Sequence, residues 1–154
     1  MNSFMLSAIE EGRRGFKAGD GGPFGAVIVR DGIILAQGHN EVLKTQDPTA
    51  HAEVVAIRRA TALLGRFDLF DCQIYASCEP CPMCFAAIHW ARIKSLYYAG
   101  TQDDAAAAGF DDRYIYEVIR GRADHVEVTS TQIDHDAALT LFDEWNRWDR
   151  KTLY

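Results

Sequence analysis

Four side chains have the types and spacing of a metal-centred hydrolytic site: His51 and Glu53 in the stretch HAE, and Cys81 and Cys84 in PCPMC. Cysteines three apart in the first turn of a helix share one face, so a single ion reaches both sulfurs. One imidazole with two thiolates is an accepted ligand set for catalytic zinc, which takes three protein ligands and keeps a fourth position for water. A helix N-terminus also favours thiolate over thiol. Zinc lowers the pKa of such a water to about 7. Glu53, two residues beyond His51 in the same first turn, is placed to take the water's proton without being a ligand. A purely structural zinc and a redox cysteine pair are the competing readings, and neither gives the His-x-Glu stretch a purpose.

The seven residues CEPCPMC, 78 to 84, allow two overlapping C-x-x-C pairs. Pro80 marks the change from strand and turn to helix, because a proline at a helix opening loses no hydrogen bond. Cys81 and Cys84 are therefore the metal pair. Cys78 falls on the strand side and is expected as a small buried wall residue near the metal, and Cys72 as a structural cysteine. The bunching of all four cysteines between 72 and 84 argues against a disulfide framework, which spreads its cysteines to close loops.

These residues need elements to hold them. Phe4, Met5, Ala8, Ile9, Gly12 and Phe16 make one helical stripe over residues 2 to 18. GDGGP ends that helix, and FGAVIV, the turn RDG and IILAQG make a hairpin. Pro48 discourages helix at Asp47, so the next helix starts near Thr49 or Ala50, buries Val54, Ile57, Ala60 and Leu64, and stops at Gly65. CQIYASC reads as a buried strand, PCPMCFAAIHWAR as a helix and SLYYAG as a strand. AAAAGFDDRYIYEVI follows as two short helices around an irregular turn. HVEVTS is the expected last strand and HDAALTLFDEWNRWDRK the last helix, with Leu139, Phe142, Trp145 and Trp148 on one side. Strands alternating with helices after the hairpin predict a mixed sheet covered on both faces.

At 154 residues the chain is expected to be one domain with a proper core. Its longest apolar run, Phe24 to Val29, is too short to span a bilayer, and the N-terminus carries acids where a signal peptide would not. A cytoplasmic location and no membrane partner are the expectation. A net charge of −6 argues against bulk nucleic acid as the main partner. Arg13, Arg14, Lys17, Arg58 and Arg59 could form a local basic strip, but clustered charges on helices generally mark solvated faces.

H-x-E followed by P-C-x-x-C is the signature of the zinc nucleobase deaminases. With GGPFGAVIVRDG, DPTAHAEVVAIR, SCEPCPMC, WAR, AGFDD and a terminal tyrosine, the chain resembles the cytidine deaminase-like superfamily, and within it the bacterial guanine deaminases. The resemblance covers most of the chain and thins between about residues 120 and 140. It implies an α/β fold: a three-layer α/β/α sandwich around a five-stranded mixed sheet, with one zinc per chain. The implied activity is hydrolytic deamination of guanine to xanthine and ammonia. A tRNA adenosine deaminase or a cytosine or triazine deaminase is the alternative, since these share the same core, and a non-catalytic zinc module is a further one. The resemblance also implies a homodimer whose C-terminal segment, about 120–154, is exchanged. It gives Phe24 as the residue stacking on the purine and Asn40 as the one bonding its edge, with Asp112 and Tyr154 arriving from the partner chain.

Overall fold

The computed structural model describes residues 2–154. Helix α1 (Ser3–Lys17) leads into the hairpin β1 (Gly25–Arg30) and β2 (Ile33–His39), and a single helical turn, α2 (Val42–Thr45), precedes α3 (Ala52–Leu64). Strand β3 (Gln73–Cys78), α4 (Pro82–Trp90) and β4 (Ser95–Gly100) complete the core. After them come α5 (Gln102–Ala107), α6 (Arg113–Ile119) and α7 (His135–Arg147). Among the described residues, no helix is long and apolar enough to cross a membrane.

The sheet is mixed, in the order β2-β1-β3-β4: β1 is antiparallel to both β2 and β3, and β3 is parallel to β4. The hairpin turns at Asp31 and Gly32, with φ of 51° and 75°. Asp-Gly suits such a turn because it needs the left-handed region at both central positions. Strand side chains alternate between faces, so β1 serves two cores. Val27 and Val29, with Tyr75, pack under Phe4, Met5 and Ala8 of α1. Ala26 and Ile28, with Ile74, pack under Ala52, Ala56 and Ala60 of α3 and Ile88 of α4. The result is a three-layer α/β/α sandwich.

Three expectations need correcting. Among the described residues the sheet has four strands rather than five, and residues 125–130 form no strand. The alternation of HVEVTS is that of a strand, but no neighbouring strand edge of this chain meets it, and Val126 and Val128 are exposed. Helix α3 begins at Ala52, later than expected, because Asp47 Oδ1 accepts from Thr49 N and Oγ1 at 2.8 and 2.7 Å and closes a turn there. Its buried stripe is Ala52, Val55, Ala56 and Ala60, whereas Val54, Ile57 and Leu64 are half-buried. Small residues win the inner face because α3 runs close over β2: a Cβ at Gly38 would lie 2.5 Å from the Ala52 carbonyl oxygen.

Candidate active site

Two strand-to-helix or loop-to-helix junctions meet below the carboxyl end of β3. His51 is the N-cap of α3 and Cys81 the N-cap of α4, one position before the helices rather than in their first turns. The proline that opens α4 is Pro82, at its first position, while Pro80 lies ahead of the helix and is fully buried. Cys84 stands on the first turn, and its N–H donates to Cys81 Sγ at 3.4 Å. A thiolate acting as N-cap thus satisfies one of the free N–H groups of the helix end.

The Nδ1 of His51 is 3.4 Å from Cys81 Sγ and 3.5 Å from Cys84 Sγ. Zinc bonds of about 2.3 Å to sulfur and about 2.0–2.1 Å to nitrogen, at a tetrahedral angle, would separate the two donors by about 3.6 Å. The spacing and the soft donor set therefore both fit zinc. The Cys84 thiol donates to Cys81, and His51 adds to this, so Cys81 is pushed down to about 4 in spite of its burial. Cys84, the donor in that pair and buried near Glu53, is pushed up. The bond to Cys81 raises His51 against the effect of burial.

The same junctions wall a cavity of about 350 Å³. Glu53, on the first turn of α3 and only 7% exposed, lines it beside the three donors. A helix N-terminus stabilises a carboxylate, but here burial dominates, with the charge of Cys81 adding to it, and the Glu53 carboxyl is raised. An elevated carboxyl beside a metal cluster is suited to carrying a proton back and forth near neutral pH.

The opposite wall comes from the open end of the hairpin and from α5–α6. Phe24 and Asn40 flank the first pair of the hairpin register and are joined by Asn40 N donating to Phe24 O at 3.1 Å. Both line the cavity. Asn40 Oδ1 accepts from Val42 N at 3.2 Å, and no described residue accepts from its Nδ2. Asp112, expected from a partner chain, lines the cavity of its own chain. The reason is the short connection from β4: Gln102 N donates to Glu79 Oε2 at 3.3 Å and the Tyr116 hydroxyl to Pro80 O at 2.9 Å, and these hold α5 and α6 over the site. Asp112 sits at the N-cap of α6 without capping it, and its Oδ1 is buried with no partner among the described residues. Burial, then the Cys81 charge, raises its carboxyl.

Tyr154 is not at this cavity. Its ring lies 6.3 Å from Phe67 and 6.1 Å from Trp90, and it is 69% exposed. Cys78 is half-buried at the cavity wall, its thiol donating to Thr101 O and pushed up to about 11 by burial. Cys72 is buried in the core. Sequence reasoning missed Phe110, whose ring meets Phe24 edge-on at 5.0 Å and 86°, and Tyr116. Phe110 stands inside the GFDD stretch already singled out, but nothing in its spacing marks it as a partner of Phe24.

The family profile described as the cytidine and deoxycytidylate deaminase zinc-binding region matches residues 1–100. The chain belongs to this deaminase family. Its metal is zinc, the ion of the matched region, and the donor set fits it. Among its relatives in the family is the guanine deaminase of Bacillus subtilis, 48% identical over 152 residues, covering 99% of this chain and 97% of that one. The X-ray structure of that enzyme superposes with a TM-score of 0.94, over 100% of this chain and 99% of the other. A tRNA-specific adenosine deaminase of Agrobacterium fabrum is 44% identical over 105 residues, 68% of each chain. The guanine deaminase structure from Nitrosomonas europaea shares 33% identity, with a TM-score of 0.67 over 93% of this chain and 82% of that one.

Proposed function

We propose that the protein hydrolyses guanine to xanthine and ammonia, with His51, Cys81 and Cys84 holding zinc and Glu53 moving the protons. The observation that carries this reading is one cavity that brings buried Glu53 beside the three donors and sets Phe24, Asn40 and Asp112 across from them. Similarity along the whole chain favours guanine over adenosine in tRNA, because the adenosine deaminase alignment covers only 105 residues while the guanine deaminase alignment covers 152.

Zinc, when bound, makes the attacking water acidic enough to act near neutral pH. Glu53 takes a proton from that water as it attacks C2, the carbon bearing the exocyclic amine. It passes the proton to the adjacent ring nitrogen. Glu53 then protonates the departing amine with the second proton of the water, so ammonia leaves and the carbonyl of xanthine remains. Phe24 stacks on the ring, which is specific for flat bases and not for one base. Asn40 supplies donor and acceptor to the ring edge, and the unpartnered Oδ1 of Asp112 accepts from a base N–H.

The same proposal includes a homodimer in which residues 120–154 are exchanged and Tyr154 closes the partner's cavity. Supporting it, α7 has no buried residue, and its Leu139 and Phe142, with Trp148 at its C-cap, are exposed. Tyr97 and Tyr98 are likewise exposed on β4, the edge strand at which a fifth strand made by HVEVTS of the other copy would pair.

Zinc-loaded protein offered guanine, adenine, cytosine, guanosine and tRNA, with ammonia release measured, tests the substrate. Release from guanine alone among the bases is the expected result. Inosine formed in tRNA, with no ammonia from guanine, would overturn it.

A further inference from the structure

A second cluster of titratable groups lies outside the cavity, around His39 at the end of β2. His39 is 4% exposed. Its Nδ1 meets Glu11 Oε1 of α1 at 2.8 Å, and its Nε2 meets Asp20 Oδ2 of the loop 19–23 at 2.7 Å. Glu41 Oε1 stands 3.6 Å from Nε2. The ring thus bridges two carboxylates, one at each nitrogen. Burial alone would raise Glu11, but hydrogen bonds from Arg14 and His39 outweigh it and hold its carboxyl below the ordinary range. His39 and then Lys44 do the same for Asp20. Asp20, His39 and Glu41 lie close enough together to suggest a cation site. The cations are already there, because Lys44 Nζ is 3.1 Å from Asp20 and Arg59 is 2.7 Å from Glu41.

The position of the cluster gives it another use. The next residue after His39 is Asn40. Helix α1 presses on the imidazole at Gly15, where a Cβ would fall 2.5 Å from the ring. The loop bonded to that ring closes on the neighbouring amide at Gly21, where a Cβ would fall 2.1 Å from Asn40 Oδ1. Asp20 is also tied to two helices through its backbone, its N donating to Gly15 O of α1 and its O accepting from Leu43 N and Lys44 N of α2. The Asn40 amide thus sits in a slot whose one wall, Gly21, is held in place through Asp20 and His39.

We propose that His39 is a positioning residue, a ring tied at both nitrogens that holds the Gly21 wall and so fixes the Asn40 amide for the base edge. The proposal rests on the reading of Asn40 as a base ligand. It predicts that losing the tie acts on catalysis through Asn40 and through nothing else.

A double-mutant cycle on the full-length, zinc-loaded protein tests this. His39→Gln and Asp20→Asn are each made alone and with Asn40→Ala, and kcat and KM are measured with guanine, or with whichever base the wild-type protein turns over. Zinc content and melting temperature are measured beside them. Each single variant is expected to lose about 30-fold in kcat/KM with zinc content unchanged, the scale of a misplaced binding group. In the Asn40→Ala background His39→Gln is expected to cost nothing more. Losses that multiply in the double variant, or a His39→Gln protein with wild-type kcat/KM, would overturn the proposal. A lowered melting temperature with wild-type kcat/KM in the folded protein would reduce His39 to a structural residue and overturn it too. An Asn40→Ala protein with wild-type kinetics would instead overturn the reading of Asn40 on which it stands. If His39→Gln does not fold, Asp20→Asn, which keeps the ring and the side-chain volume, carries the test alone.

Discussion

At the scale of single residues, the site turns on one carboxyl with two opposed influences. Glu53 lies on the first turn of α3, where the helix end favours its charge, and is buried in the cavity wall, where burial opposes it. Burial wins and the carboxyl is raised, as a proton carrier needs. Glu53→Gln keeps the shape and removes the carrier. Turnover is expected to fall about 10²- to 10⁴-fold while zinc content stays at one per chain, measured by ammonia release and metal analysis. Near-full turnover with zinc bound would refute the role. Cys81→Ser replaces a soft thiolate donor with a hard hydroxyl while leaving an oxygen to cap α4. It is expected to lose zinc on dialysis under conditions where the wild-type protein retains it, since soft thiolate donors set the affinity of such a site.

At the scale of elements, the chemistry depends on how helix ends and the hairpin end are brought together. Tyr116 on α6 ties the roof carrying Asp112 to Pro80 O, next to the first cysteine ligand. Tyr116→Phe deletes one hydrogen bond worth about 0.5–1.5 kcal/mol, so kcat/KM is expected to drop about 2- to 10-fold with little change in zinc affinity. An unchanged kcat/KM would mean that the other contacts, Gln102 with Glu79 and Phe110 with Phe24, hold the roof without it. The Glu11–His39–Asp20 tie has its own signature in acid. Both carboxyls are depressed in the folded protein, so the stability they add is present above their ordinary values of 4.5 and 3.8 and is lost as pH falls through the folded ones. Glu11→Gln, facing Arg14 and His39, is therefore expected to melt lower at neutral pH but to lose less on acidification between about pH 5 and pH 3 than the wild type does. Melting curves across that window check it.

For the whole molecule, the decisive feature is a C-terminal third that buries almost nothing in its own chain. Helix α7 presents an apolar side to solvent, and Tyr154 ends far from the cavity that the exchange would have it close. If the sites are composite, a subunit carrying Glu53→Gln and one carrying Tyr154→Ala complement each other. Unfolding and refolding the two together is expected to yield roughly a quarter of the wild-type activity, since half the dimers are mixed and each of those holds one intact site. No gain over the separate variants would refute the exchange. A monomer by light scattering would refute the dimer itself.

The sequence by itself pointed to the candidate metal set, to Glu53 beside it and to the order of the core elements. These are short-range facts: His51 and Glu53 lie within three residues, as Cys81 and Cys84 lie within four, and strand and helix periods are written locally. The exact helix starts were not legible, because an Asx turn at Asp47 and a thiolate N-cap at Cys81 compete with propensity. The buried face of α3 was misread because the close approach of β2 selects small residues over large ones. Only the tertiary structure decided that HVEVTS finds no strand within its chain, that Asp112 turns into its own cavity, and that Phe110 and Tyr116 hold the roof. Such pairings join residues tens of positions apart. Their partners are chosen by which surfaces meet when the layers pack, and no local pattern in the chain encodes that choice.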